Sequence, residues 1–197
     1  MIITIGREHG SGGHEIARAL AEALGYACYD KEIVDHAAEA SHFSREVMDS
    51  FDEKRVSPYV VPVPNFVGMG ESFRLNMQVA AAQFEAIRSL AEQGNAIFVG
   101  RCADYVLRNR KDLLRVFIQA GEESRTREMM KRRDLTEEQA RKLIRQVDKD
   151  RASYYRYYTD QDWGDREYYD LCINSDKVGV QGAVTIIKAC LEAMEKA

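Results

Sequence analysis

The sequence predicts an α/β fold in three layers, a parallel sheet of short strands with helices packed on both faces. Three observations carry this. A short apolar run, a glycine-rich loop and a helix-spaced segment follow one another over residues 2–5, 6–13 and 14–24. Further short apolar runs at 27–29, 96–99, 113–118 and 171–173 alternate with stretches of helical periodicity, the pattern of a parallel sheet with helical crossovers. The length of 197 residues, 45% hydrophobic and 30% charged, suits one soluble globular domain over 1–197 with a core of its own.

The elements follow in order. The run at 2–5 ends at Gly6 and reads as a buried strand. Ile16, Ala17, Leu20, Ala21 and Leu24 share a helix face, and Gly25 stands where glycine ends helices. Residues 27–29 form a second strand, and Asp30 is placed to cap a helix through Ile33, Val34 and Ala37. One more short helix is expected within 42–55. Pro58, Pro62 and Pro64, all the prolines of the chain, then forbid a regular helix, so an inserted lobe is expected there. A long helix returns over 71–93. The strands at 96–99 and 113–118 flank a short helix at 103–107, and a charged helix covers 122–133. The capping box Thr136-Glu-Glu-Gln139 opens a helix running beyond Arg151. A last strand at 171–173 and a helix at 180–194 close the chain.

The net charge of −4 argues against a nucleic-acid coat. Residues 101–158 nevertheless hold 16 Lys/Arg against 10 Asp/Glu, which suits a small anionic ligand held at one place. No apolar run approaches the ~18 residues of a membrane span. The start MIITIGR lacks the charged and long apolar regions of a signal peptide, so a cytoplasmic location is expected. Cys28, Cys102, Cys172 and Cys190 form no CxxC, and reduced thiols are expected. His9, His14, His36 and His42 lack metal-ligand spacing, so no protein-held metal is expected.

The strongest motif is the loop GREHGSGG at 6–13. Glycines let the backbone approach an anion, and the amides and dipole at the start of the next helix favour negative charge there. The loop departs from GxxxxGK[ST]: with Gly12 as the second glycine, Gly13 falls at the lysine and His14 at the Ser/Thr position. Spacing alone admits a phosphate cradle or a bare glycine turn. Arg101, after the strand at 96–99, stands where ligands of parallel sheets bind and is suited to a bidentate phosphate clamp, or else is a surface arginine pairing with Asp104. Arg145, Lys149 and Arg156 share a helix face. That face either closes over a polyphosphate or is a solvated ladder of ion pairs. Six of the ten tyrosines gather with Trp163 over 154–169, for base stacking, for packing against the body, or for a dimer contact.

Together these segments resemble the cytidylate kinase-like family, a branch of the nucleoside monophosphate kinases with the P-loop fold. The matching residues are IGREHGSGGHEIA (5–17), YDKEIV (29–34), Gly100-Arg101, and DKDR (148–151) with the tyrosines after it. The resemblance implies a P-loop kinase-like core, an inserted monophosphate-binding lobe at about 42–75 and a lid at about 145–168. It implies transfer of the ATP γ-phosphoryl group to a nucleoside monophosphate, CMP or dCMP, with Mg²⁺ accompanying ATP. By match, Gly10, Ser11, Gly12 and Gly13 cradle the donor phosphates, flanked by Arg7 and His14. Arg101 holds the acceptor phosphate, Asp30 stands at the start of the acceptor site, and Arg151 and Arg156 are lid arginines. Authentic cytidylate kinases carry the loop lysine where this chain has Gly13, and tend to have Asp where it has Cys102. Phosphoryl transfer needs a cation between donor and acceptor oxygens, and Lys31 or Arg7 is expected to supply it. Two alternatives keep the fold: a kinase of another small metabolite, or a non-catalytic nucleotide-binding regulatory module. The expected partners are ATP and a small anionic acceptor, without nucleic acid or membrane, and with a homo-oligomer left open.

Overall fold

The computed structural model describes residues 1–54 and 68–196, and the backbone alone for 68–73. Strands β1 (Ile2–Arg7), β2 (Ala27–Tyr29), β3 (Ala96–Val99), β4 (Leu113–Gln119) and β5 (Leu171–Asn174) form one sheet in the order β2-β3-β1-β4-β5. Every pairing is parallel. The helices are α1 (Gly13–Leu24), α2 (Lys31–Ala40), α3 (Arg45–Phe51), α4 (Gly68–Ala91), α5 (Ala103–Val106), α6 (Glu122–Arg133), α7 (Glu137–Thr159) and α8 (Ser175–Met194).

Strand alternation builds the layers. Ile3 and Ile5 of β1, with Ile97 and Val99 of β3, face α1 and α8, where they bury Ile16, Leu20, Ile187 and Leu191. Ile2, Ala96 and Phe98 point the other way, against Ile33 and Val34 of α2, Met48 of α3 and Ile87 and Leu90 of α4. At roughly 1.5–3 kcal/mol for each large aliphatic side chain removed from water, these two clusters are the main stabilisation of the sheet. A smaller cluster of Met129, Ala140 and Ile144 joins α6 to α7.

The element expectations meet the structure within a few residues, with three differences. The closing helix starts at Ser175, five residues early, and passes through a non-helical break at Gly179 (φ 65°). The helix expected in 42–55 is α3 alone, capped by the Ser44 side chain. Asp30 precedes α2 without capping it, because its carboxylate is engaged elsewhere. The capping box at Thr136 and Gln139 is formed. Of the expected lobe at 42–75, α3 and the first turns of α4 are seen, whereas the three prolines lie outside the described residues. The expected lid region comprises the second half of α7 and the chain through a 3₁₀ turn at Arg166–Tyr168. Among the described residues, no helix is long and apolar enough to cross a membrane.

Candidate active site

β1 lies between β3 and β4, so the sheet opens a crevice at the carboxyl ends of these strands. Ile5 pairs with Val99, and the Gly100 amide donates to the Ile5 carbonyl at 3.1 Å. The chain therefore leaves β1 and β3 side by side, with the glycine loop on one exit and Arg101 on the other.

The loop turns through left-handed Gly10 (φ 82°) and Gly12 (φ 77°), conformations open to glycine at little cost. Gly12 precedes the first turn of α1 and no side chain caps it, so the amides there stay available, as helix N-termini leave them. The loop is braced from behind. Ser11 Oγ donates to the Glu8 carbonyl at 2.9 Å, and Ser175 Oγ to the Ser11 carbonyl at 2.7 Å. Glu8 Oε2 accepts from the Ala120 amide at 2.9 Å, and Asp148 of α7 accepts from the His9 amide at 2.7 Å and from Arg125 Nη1 at 2.5 Å. Burial, followed by the charges of Arg151 and other arginines, lowers the His9 pKa to about 4, so its imidazole is neutral near pH 7. A Cβ at Gly13 would stand 2.5 Å from Arg7 Cβ. The lysine position of the loop is empty because the Arg7 side chain crosses beneath it.

Across the crevice, three arginines meet three carboxylates. Arg101 is 3% exposed. It grips Asp52 bidentately (Nε–Oδ1 2.9 Å, Nη2–Oδ2 2.7 Å), and its Nη1 donates to Asp30 Oδ1 at 2.6 Å and to the Val99 carbonyl at 3.0 Å. Arg7 Nη1 donates to Glu53 Oε1 at 2.6 Å, and Arg151 Nε to Glu53 Oε2 at 3.1 Å. Arg151 Nη1 also donates to the Arg7 carbonyl at 3.0 Å, which docks α7 on β1. His14 Nδ1 lies 2.8 Å from Asp30 Oδ2. Burial raises the pKa of Asp30, but the neighbouring Arg101 and Arg7 outweigh it and the net direction is down. For Glu53 burial is again outweighed by its arginines, and the direction is strongly down. For Asp52 burial wins and the direction is up. Arg151 is lowered by burial and by the charge of Arg7.

The backbone here is strained. Gly100, Arg101 and Cys102 run consecutively through the left-handed region (φ 77°, 53° and 56°), costing roughly 1–2 kcal/mol for each non-glycine residue. The turn aims Arg101 back under the strand ends, and the Arg101 amide is held by Glu53 Oε1 at 3.0 Å. Strain of this kind persists where the surroundings over-determine it, commonly at functional sites.

A cleft of about 500 Å³ gathers most residues singled out from the sequence: Arg7, Gly10, Gly12, Gly13, His14, Asp30, Lys31, Arg101 and Arg151. Lys31 is exposed on its rim. Ser11 lies behind the loop, lining a second opening beside α6 and α8. Arg156 is not brought to the cleft: it is solvent-exposed and pairs with Asp162. Arg145 likewise faces outward and pairs with Glu122. The inward stripe of α7 is Ile144, Asp148, Arg151 and Tyr155, so the basic face of Arg145, Lys149 and Arg156 is the solvated one. Arg101 is not a surface partner of Asp104, which accepts instead from the Tyr155 hydroxyl at 2.7 Å. Tyr154 and Tyr155 are buried against Cys102, which is packing against the body. Asp52, Glu53, Arg125 and Asp148 complete the site without having been assigned roles from the sequence. The only signal for them was the DKDR segment, which contains Asp148.

A glycine loop at the end of β1, faced by an arginine from the adjacent strand in a sheet of this order, is the arrangement of a P-loop kinase-like fold. The chain belongs to the cytidylate kinase-like family, whose sequence profile matches residues 2–177. It is 26% identical to a cytidylate kinase of Methanothrix thermoacetophila, over 99% of this chain and all of that one. Among solved structures it is similar to an uncharacterized protein from Eubacterium ventriosum (31% identity, 98% of each chain, TM-score 0.75). Its fold is also that of shikimate kinase from Bacteroides thetaiotaomicron (14% identity, 98% of each chain, TM-score 0.58).

Proposed function

We propose that the protein transfers the γ-phosphoryl group of MgATP to a nucleoside monophosphate, CMP or dCMP. The observation that carries this reading is that one cleft is lined by Gly10, Gly12 and Gly13 of the loop together with Arg7, Arg101 and Arg151. The loop and the α1 dipole would hold the donor phosphates, and Arg101 the acceptor phosphate, with Asp30 beside it. Arg7, packed where a loop lysine would project, supplies the cation between donor and acceptor oxygens, with Lys31 at the rim. Arg151, carried on α7, adds charge from the lid side. Such a site works by positioning and electrostatic stabilisation and needs no side-chain nucleophile. In enzymes of this chemistry Mg²⁺ is bound through substrate phosphates, several waters and one or two protein oxygens; arriving with ATP, it would neutralise charge on the transferred group. The cytidylate kinase relative supports the choice of a cytidine acceptor.

The test is ADP release from MgATP across a panel of nucleoside monophosphates. CMP and dCMP are expected to be turned over best. ADP release only with an unrelated small metabolite would keep the kinase and replace the acceptor. Saturable ATP binding without ADP release under any condition would make the chain a regulatory nucleotide-binding module.

A further inference from the structure

The acceptor end of the cleft is already charge-balanced, with Arg7, Arg101 and Arg151 set against Asp30, Asp52 and Glu53. A phosphate dianion arriving there meets arginines that are already paired with carboxylates. Glu53 is the acid most like an arriving phosphate. Its two oxygens accept from three directions and three segments: Arg7 Nη1, the Arg101 amide and Arg151 Nε. It presses on the Gly100 backbone so closely that a Cβ there would collide with both Glu53 Oε1 and Arg7 Nη1. It sits on a turn just past α3 in the left-handed conformation (φ 48°), disfavoured for an L-residue by ~1–2 kcal/mol, so withdrawal of the turn relieves strain. Asp30 and Asp52 have further anchors, at His14 and Gln83 respectively.

We propose that Glu53 is a specificity-determining residue, an internal carboxylate that occupies the oxyanion position between Arg7, Arg101 and Arg151 and yields it to the acceptor's phosphate. This rests on the acceptor phosphate lying at Arg101. A neutral nucleoside offers no anion to exchange for the carboxylate, and so leaves the turn in place. A dianion replaces the carboxylate on all three donors. The exchange releases the end of α3 while Arg151 and α7 stay engaged, now with the ligand. Selection for a phosphorylated acceptor thus comes from the requirement to break an existing bridge, a repulsive element working beside the attractive one.

The test compares wild type with Glu53→Gln, using inorganic phosphate as the probe in calorimetry and CMP in steady-state assays with MgATP. The amide keeps the shape of the side chain and removes the competing charge. Inorganic phosphate is expected to bind the variant at least about tenfold more tightly, and KM for CMP is expected to fall. Circular dichroism establishes that the variant is folded. Should it not fold, hydrogen exchange on the wild type decides: inorganic phosphate is expected to speed exchange at residues 51–54, and cytidine to leave it unchanged. Phosphate affinity that is equal or weaker in folded E53Q, or slower exchange at 51–54 with phosphate, overturns the proposal even if CMP is a good acceptor. Tighter phosphate binding by E53Q together with no turnover of any monophosphate supports the displacement and rejects the acceptor reading alone.

Discussion

Replacing Arg101 by Met tests how far the fold depends on its arginine–carboxylate cluster. The side chain is 3% exposed and makes four hydrogen bonds, three of them to the carboxylates of Asp30 and Asp52. Methionine fills much of the volume but leaves two largely enclosed carboxylates without their main counter-ion. Breaking a buried pair from one side costs roughly 3–5 kcal/mol. For a domain of this size each kcal/mol is worth about 2–4 °C in Tm, so the midpoint should drop by roughly 6–20 °C at pH 7. The pH dependence has a defined sign. Arg101 is the first of the charges that hold Asp30 below its ordinary value of 3.8 against the upward push of burial, and it restrains Asp52 as well. Without it both carboxyls rise and bind a proton more tightly folded than unfolded. The penalty should therefore shrink as the pH falls from 7 toward 5. Thermal and urea unfolding followed by circular dichroism measure both quantities. A loss below about 1 kcal/mol at pH 7, within the range of ordinary surface substitutions, would refute the reasoning, as would a penalty that grows on acidification.

Two further outcomes follow from the loop. Gly13→Ala should force Arg7 off its path, since the new Cβ would lie 2.5 Å from Arg7 Cβ. The expected cost is about 1–3 kcal/mol with a sharp fall in turnover, and wild-type stability in this variant would contradict the packing. His9 has its folded pKa lowered from 6.5 to about 4, so the unfolded chain takes up its proton first as the pH falls. Stability should decline between about pH 6.5 and 4 on its account, and His9→Gln should flatten that part of the profile; an unchanged slope in the variant would contradict it.

The sheet was legible because each strand is a short, mostly apolar run, with a glycine inside or just after β1 and β3 and a charge just after β2. The loop was legible as a glycine cluster between a strand and a helix, and Arg101 through its place after a buried strand. What stayed hidden was long-range. Asp52 and Glu53 lie inside a largely polar segment, DSFDEKR, that reads as a solvated helix terminus until folding sets these two acids against Arg101, 49 and 48 residues away. Left-handed Arg101 and Cys102 carry no glycine to announce them. Charge spacing left the inward face of α7 open: Arg145, Lys149 and Arg156 are in helical register, but so are Ile144, Asp148, Arg151 and Tyr155, and only the latter set contains the apolar residues that settle which side turns inward. The glycine at the lysine position has its cause in a side chain six residues earlier, and sequence pattern alone does not show that crossing.

The most direct test of the whole account is a crystal structure of the protein with ADP and CMP. The β-phosphate is predicted on the amides of residues 10–13 at the mouth of α1, and the CMP phosphate against Arg7, Arg101 and Arg151, both within the one cleft. Nucleotides bound outside that cleft, or a loop that carries no phosphate while the ligands are ordered elsewhere, would contradict it.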